Sequence, residues 1–248
     1  MGRDGRPLGA ARLSGRVALV TGARGGIGSA IVERLERDGW TVHGVDVDDA
    51  DLTTRDGNRR VVDAALERHG RLDALVPNAG FQHVAPVRAF PEDRWDELLA
   101  LLLTSPFLLA KYAWDALAAS GDGRICVIAS AHSLTASPFK VGYVSAKHGV
   151  LGLVKTLALE GADAGISATA VCPAYVRTPL VESQIAAQAE NAGVPADRVL
   201  EEVILKRQAV KRMLEPSEVA DVVGFLLGPA GRGFTGVPIP LDLGWTAG

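Results

Sequence analysis

The sequence has two cysteines, little net charge and no long apolar run, and each shortage removes a class of protein. Cys126 and Cys172 lie in the apolar stretches RICVIAS and ATAVCPA, where they read as buried, reduced thiols acting as small hydrophobes rather than as a disulfide or catalytic pair. Lysine and arginine number 26 against 29 acids, a formal net charge of -3. The basic stripe of a nucleic-acid-binding protein is therefore missing, and small molecules are the expected partners. The longest apolar run, Leu98 to Leu103, is too short to span a bilayer. The opening MGRDGRPLGAARLSG carries arginines but no apolar segment of secretory length. The expectation is a soluble, cytoplasmic protein with a disordered tail over residues 1–12.

What is present is a core and many turns: 48% of residues are hydrophobic and 28 are glycine. Short β-branched runs (RVALVTG, WTVHGVD, LDALVPNAG, GRICVIAS, ISATAVCP) alternate with helical patterns. Long helices fit Pro91 to Ser120 and Tyr143 to Glu160. Apolar runs of this kind, buried on both faces, predict an α/β fold with a parallel sheet between helix layers. No repeat or linker breaks the pattern, so residues 13–248 read as one domain. The polar, Ala-rich segment Val181 to Leu214 follows a strand end and reads as a helical substrate lid.

VTGARGGIGSA follows the first strand and opens the first helix. Gly22, Gly26 and Gly28 let the backbone turn tightly and approach a pyrophosphate, which would sit on the free amides of the helix. The next strand ends in Asp46, at the separation expected for an acid that hydrogen-bonds an adenosine ribose. A carboxylate there accepts from two hydroxyls and repels a 2′-phosphate, favouring NAD over NADP. Arg24, inside the turn, points the other way, because an arginine can pair with a 2′-phosphate.

Tyr143 and Lys147 stand four residues apart at the start of a helix, on one face. Ser130 lies just past a strand, at the carboxyl end where open α/β sheets bind ligands. An ammonium near a phenol favours the phenolate, so Lys147 is expected to help Tyr143 move a proton while Ser130 hydrogen-bonds the same substrate oxygen.

Taken together, Thr21-Gly22-x-x-x-Gly26-Ile27-Gly28, Asn78-Ala79-Gly80 after a strand, and Ser130 thirteen residues before Tyr143-x-x-x-Lys147 resemble the short-chain dehydrogenase/reductase family from Leu13 to Trp245. The resemblance implies a doubly wound Rossmann domain, a nicotinamide cofactor, hydride transfer, no metal in the chemistry, and a homotetramer packed through the two long helices. It assigns Gly22, Arg24, Gly26, Ile27, Gly28, Asp46, Asp51, Leu52, Asn78, Ala79, Gly80, Tyr143, Lys147, Pro173, Val176 and Thr178 to the cofactor. FQHVAPVRAFPEDRWDELLAL, AHSLTASPFKVGYVSAKHGV, RTPLVESQI and GWTAG look like the branch interconverting 3-hydroxybutyrate and acetoacetate. In that branch residues matching Gln82, His132, Lys140 and Gln184 hold a short carboxylate, and Trp245 is expected as an apolar wall.

The chain departs from the family pattern at several positions. Leu102 replaces an asparagine that holds a proton-relay water, Pro77 precedes Asn78, Pro173 is followed by Ala174, Tyr175 stands where tryptophan is usual, and Leu243 replaces a glycine. Two alternatives therefore stay open: a reductase of another hydroxy acid or of a 3-ketoacyl thioester, and a cofactor-binding protein with weakened catalysis.

Overall fold

Every residue of β1 (Val17–Thr21) is buried, and its alternating side chains enter two separate cores. Val17 and Leu19 join one cluster, Ala18 and Val20 the other, as the two-residue period of a strand covered on both faces requires. The computed structural model describes residues 15–179, 181–182, 195–200 and 205–247.

The sheet continues with β2 (Thr41–Val45), β3 (Ala74–Val76), β4 (Gly123–Ile128), β5 (Ile166–Pro173) and β6 (Val237–Leu241). All pairings are parallel, and the order is β2-β1-β3-β4-β5-β6. Helices α1 (Gly26–Arg37) and α6 (Pro216–Leu227) cover one face; α2 (Arg55–His69), α4 (Ser105–Ala119) and α5 (Val141–Gly161) cover the other. The chain steps from β1 out to β2, then recrosses to β3 on the far side of β1. That reversal opens a crevice at the carboxyl ends of β1 and β3, where such folds bind ligands.

β6 reads VPIPL, and its two prolines argue against a strand in the sequence. As an edge strand it is open on one side, so prolines are tolerated there. The predicted helix from Pro91 is instead α3 (Glu92–Leu99), a π-turn at Ala100–Thr104, and α4. Pro106 has no N–H for the carbonyl of Leu102, and the chain passes the gap with a wider bond from Ser105 N–H to the Ala100 carbonyl. The run Glu92–Ala119 is long and apolar enough to cross a membrane, but its buried side packs in the core with α2 and the sheet. Of the expected lid, residues 183–194 and 201–204 lie outside the described residues. The described part includes the short helix Ala196–Val199, and Val199, Leu205 and Met213 pack with Tyr175, Val181 and Leu200.

Candidate active site

The glycine-rich turn is sterically committed. Gly22 has φ +65°, and a Cβ on Gly28 would stand 1.9 Å from the Gly22 carbonyl oxygen. Asn78 ties this turn to the end of β3: its Nδ2 donates to the carbonyls of Thr21 (3.0 Å) and Gly22 (3.2 Å). Thr21 Oγ1 in turn accepts from the backbone amides of Asn78 and Ala79. Sequence reasoning missed Thr21 in this role, because its hydroxyl matters only once β1 and β3 are neighbours.

The turn forms one wall of a cavity of about 580 Å³ that also meets Ile27, Asp46, Asp51, Leu52, Ala79, Gly80 and Thr178. A cradle that one added Cβ would fill, at a helix N-terminus, suits a pyrophosphate. Asp46 lines it beside the turn, each carboxylate oxygen accepting one backbone N–H, from Arg24 and from Val47. The Arg24 side chain does not line the cavity; it lies on the surface against Asp48 and Asp49.

Ile27, Asn78, Gly80, Phe81 and Thr178 are shared with a second, smaller cavity of about 140 Å³. Here the structure brings together Ser130, Tyr143 and Lys147 with Gln82, His132, Lys140, Pro173, Tyr175, Val176 and Trp245. Leu102 forms part of the wall, as does Phe81, an aromatic the sequence reading passed over. Gln184 lies outside the described residues.

Ser130 caps a single helical turn after β4. Its Oγ accepts from His132 N–H at 3.1 Å, which leaves its own O–H to face Tyr143. Lys147 Nζ donates to the Ile128 carbonyl at 2.8 Å and lies over the Tyr143 ring at 5.7 Å. Burial pushes the Tyr143 phenol above its ordinary value, and the Ser130 hydroxyl pulls it partly back. Burial also pushes Lys147 down to about 8. The Lys147 ammonium is thus anchored by a carbonyl and held beside the Tyr143 ring.

The other end of the cavity gathers a buried cation and hydrogen-bond donors. Lys140 is 6% exposed, burial pushes it down to about 8, and no carboxylate pairs with it among the described residues. Its Nζ donates to Tyr175 Oη at 3.2 Å, and the Tyr175 ring stacks on Trp245 at 5.3 Å. Gln82 Nε2 and Trp245 Nε1 are buried donors without a hydrogen-bond partner among the described residues. Trp245, expected as an apolar wall, therefore also brings an N–H. His132 packs edge-on against both Tyr143 and Trp245; burial, then the nearby Lys140 charge, pushes it down to about 3 and keeps it neutral.

Residues 49–246 match the family described as enoyl-(acyl carrier protein) reductase. The chain is 38% identical to a D-beta-hydroxybutyrate dehydrogenase of Rhizobium meliloti (strain 1021), over 94% of this chain and 99% of that one. It is 36% identical to the D-beta-hydroxybutyrate dehydrogenase of Cupriavidus necator, over 95% and 99%. It is 40% identical to the uncharacterized oxidoreductase YxjF of Bacillus subtilis (strain 168), over 94% and 98%.

Proposed function

The chain belongs to the short-chain dehydrogenase/reductase family of nicotinamide-dependent oxidoreductases, and on that premise we propose that it interconverts (R)-3-hydroxybutyrate and acetoacetate with NAD. The observation that carries the substrate is Lys140, a buried ammonium with no acid beside it among the described residues. A buried charge is retained where something pairs with it, and a short carboxylate would meet Lys140, Gln82 Nε2 and Trp245 Nε1 together. Charge-assisted bonds at that end fix the orientation of a four-carbon acid.

The substrate's C3 hydroxyl then lies at Ser130 and Tyr143. Ser130 donates a hydrogen bond to that oxygen, and Tyr143 takes the hydroxyl proton as the ketone forms. Bound nicotinamide supplies the acceptor for the C3 hydride. Lys147 lies beneath Tyr143 and favours the phenolate once the site is closed from water. His132, held neutral, offers a hydrogen bond without adding a second positive charge. Asp46 at the ribose end favours NAD.

A second reading, reduction of a carrier-bound ketoacyl thioester, draws on relatives named as ketoacyl and 3-oxoacyl-(acyl-carrier-protein) reductases. A thioester brings no free carboxylate to Lys140. Purified protein offered each hand of 3-hydroxybutyrate with NAD and with NADP, and acetoacetyl thioester with each reduced cofactor, separates the two. Turnover of the thioester alone would overturn the hydroxybutyrate reading. The reading also takes the protein as a cytoplasmic homotetramer; Phe107 on α4 and Leu159 on α5 are exposed apolar contacts available to partner copies, and sedimentation tests it.

A further inference from the structure

We propose that Asp48 and Asp49 form a latch that holds the Arg24 guanidinium away from the ribose 2′ position, so that an arginine rooted in the cofactor turn does not admit a 2′-phosphate. The proposal rests on the dinucleotide reading of the glycine-rich turn and deepens it.

Arg24 stands at the tip of that turn, and its backbone N–H donates to Asp46 Oδ2 at 2.8 Å. Its side chain thus starts beside the carboxylate that marks the ribose end. Turned toward the cavity, a guanidinium there would present a fork of donors suited to a phosphate. It turns outward instead: Nη2 lies 3.1 Å from Asp49 Oδ2 and 3.4 Å from Asp48 Oδ2.

The position of Asp49 is fixed by the turn it closes. Asp49 Oδ2 accepts from Asp46 N–H at 2.7 Å, and Asp49 N–H returns a bond to the Asp46 carbonyl at 2.9 Å. One oxygen therefore shapes the loop behind β2 and captures Arg24. Exposed ion pairs are individually weak, and Arg24 and Asp48 are both exposed; the two acids act together. With Arg24 matched against Asp46, Asp48 and Asp49, the local charge stays negative, which a ribose diol tolerates and a phosphate dianion does not.

Calorimetry with two fragments, ADP and adenosine 2′,5′-bisphosphate, tests this without turnover. Wild type should bind ADP and bind the bisphosphate poorly, and Arg24→Ala should leave bisphosphate affinity unchanged within about twofold, since the side chain is held elsewhere. Asp48→Asn with Asp49→Asn, which keeps an acceptor for Asp46 N–H, should raise bisphosphate affinity about tenfold, as release of two surface pairs allows. Adding Arg24→Ala should then remove most of that gain. A gain that survives Arg24→Ala would mean simple loss of negative charge and overturn the latch. So would a wild-type arginine whose removal weakens the bisphosphate. Absence of ADP binding is a different failure, because it overturns the dinucleotide reading itself.

Discussion

The Lys140 ammonium donates to the Tyr175 hydroxyl at 3.2 Å. Lysine has only donors, so the tyrosine oxygen must accept, and its own O–H is turned elsewhere. The stacking of Tyr175 on Trp245 holds that oxygen still. Lys140→Ala should raise KM for 3-hydroxybutyrate roughly 30-fold or more, the scale of losing a buried charged partner. Tyr175→Phe keeps the stack and should raise KM about three- to tenfold, since it removes one hydrogen bond. A substrate of similar size without the acid group should respond to neither change. Steady-state kinetics on the two substrates checks this, and equal effects on both would remove Lys140 from carboxylate binding.

Lys140 titrates near 8 when folded, against an ordinary 10.5. Butyrate, which carries the carboxylate without the reacting hydroxyl, should bind with constant affinity below that value and progressively more weakly as pH rises through about 8. The stability effect has the opposite slope. With the folded value depressed, the unfolded chain binds more protons between about 8 and 10.5, so Lys140 and Lys147 make the unliganded protein gain stability as pH rises through that window. Inhibition constants and denaturant melts across pH measure both.

Tyr143→Phe deletes one hydroxyl from the wall of the small cavity. Turnover should fall by at least ~10²-fold, as loss of a general acid/base does, with NAD binding and melting temperature nearly intact. Near-normal turnover would place the proton transfer on another group.

Gly28→Ala puts a methyl 1.9 Å from a backbone oxygen, which no rotamer relieves. The turn must open, at a cost of about 1–3 kcal/mol for overpacking, and NAD titration should find binding lost. Retained binding would show that the cradle does not hold the cofactor.

Ser105 Oγ donates to Asn58 Oδ1 at 2.6 Å, joining α4 to α2 deep in the core. Ser105→Ala leaves a fully buried amide oxygen without its donor and should destabilise the fold by about 1–3 kcal/mol, read from chemical denaturation, with little effect on KM.

Much of this molecule is written in short-range pattern. The alternation of apolar runs defines a sheet covered on both faces, and the four-residue spacing of Tyr143 and Lys147 sets them on one side of α5. Glycine at 22 and 28 is a steric statement readable without coordinates. Leu243 shows where such reading stops: the chain carries leucine at a position where glycine is usual, yet only the backbone reveals φ +54° there.

Tertiary structure decided the rest, for two physical reasons. Gln82, His132, Lys140, Tyr175 and Trp245 come from four separate loops and meet only because parallel strands deliver their carboxyl ends to one edge of the sheet. Desolvation then acts on what has been gathered, lowering Lys140, Lys147 and His132 and raising Tyr143, and no residue's neighbours in sequence announce that burial. The direction of Arg24 is the smallest case: sequence places it in the cofactor turn, and the two acids on the loop behind β2 determine which way it points.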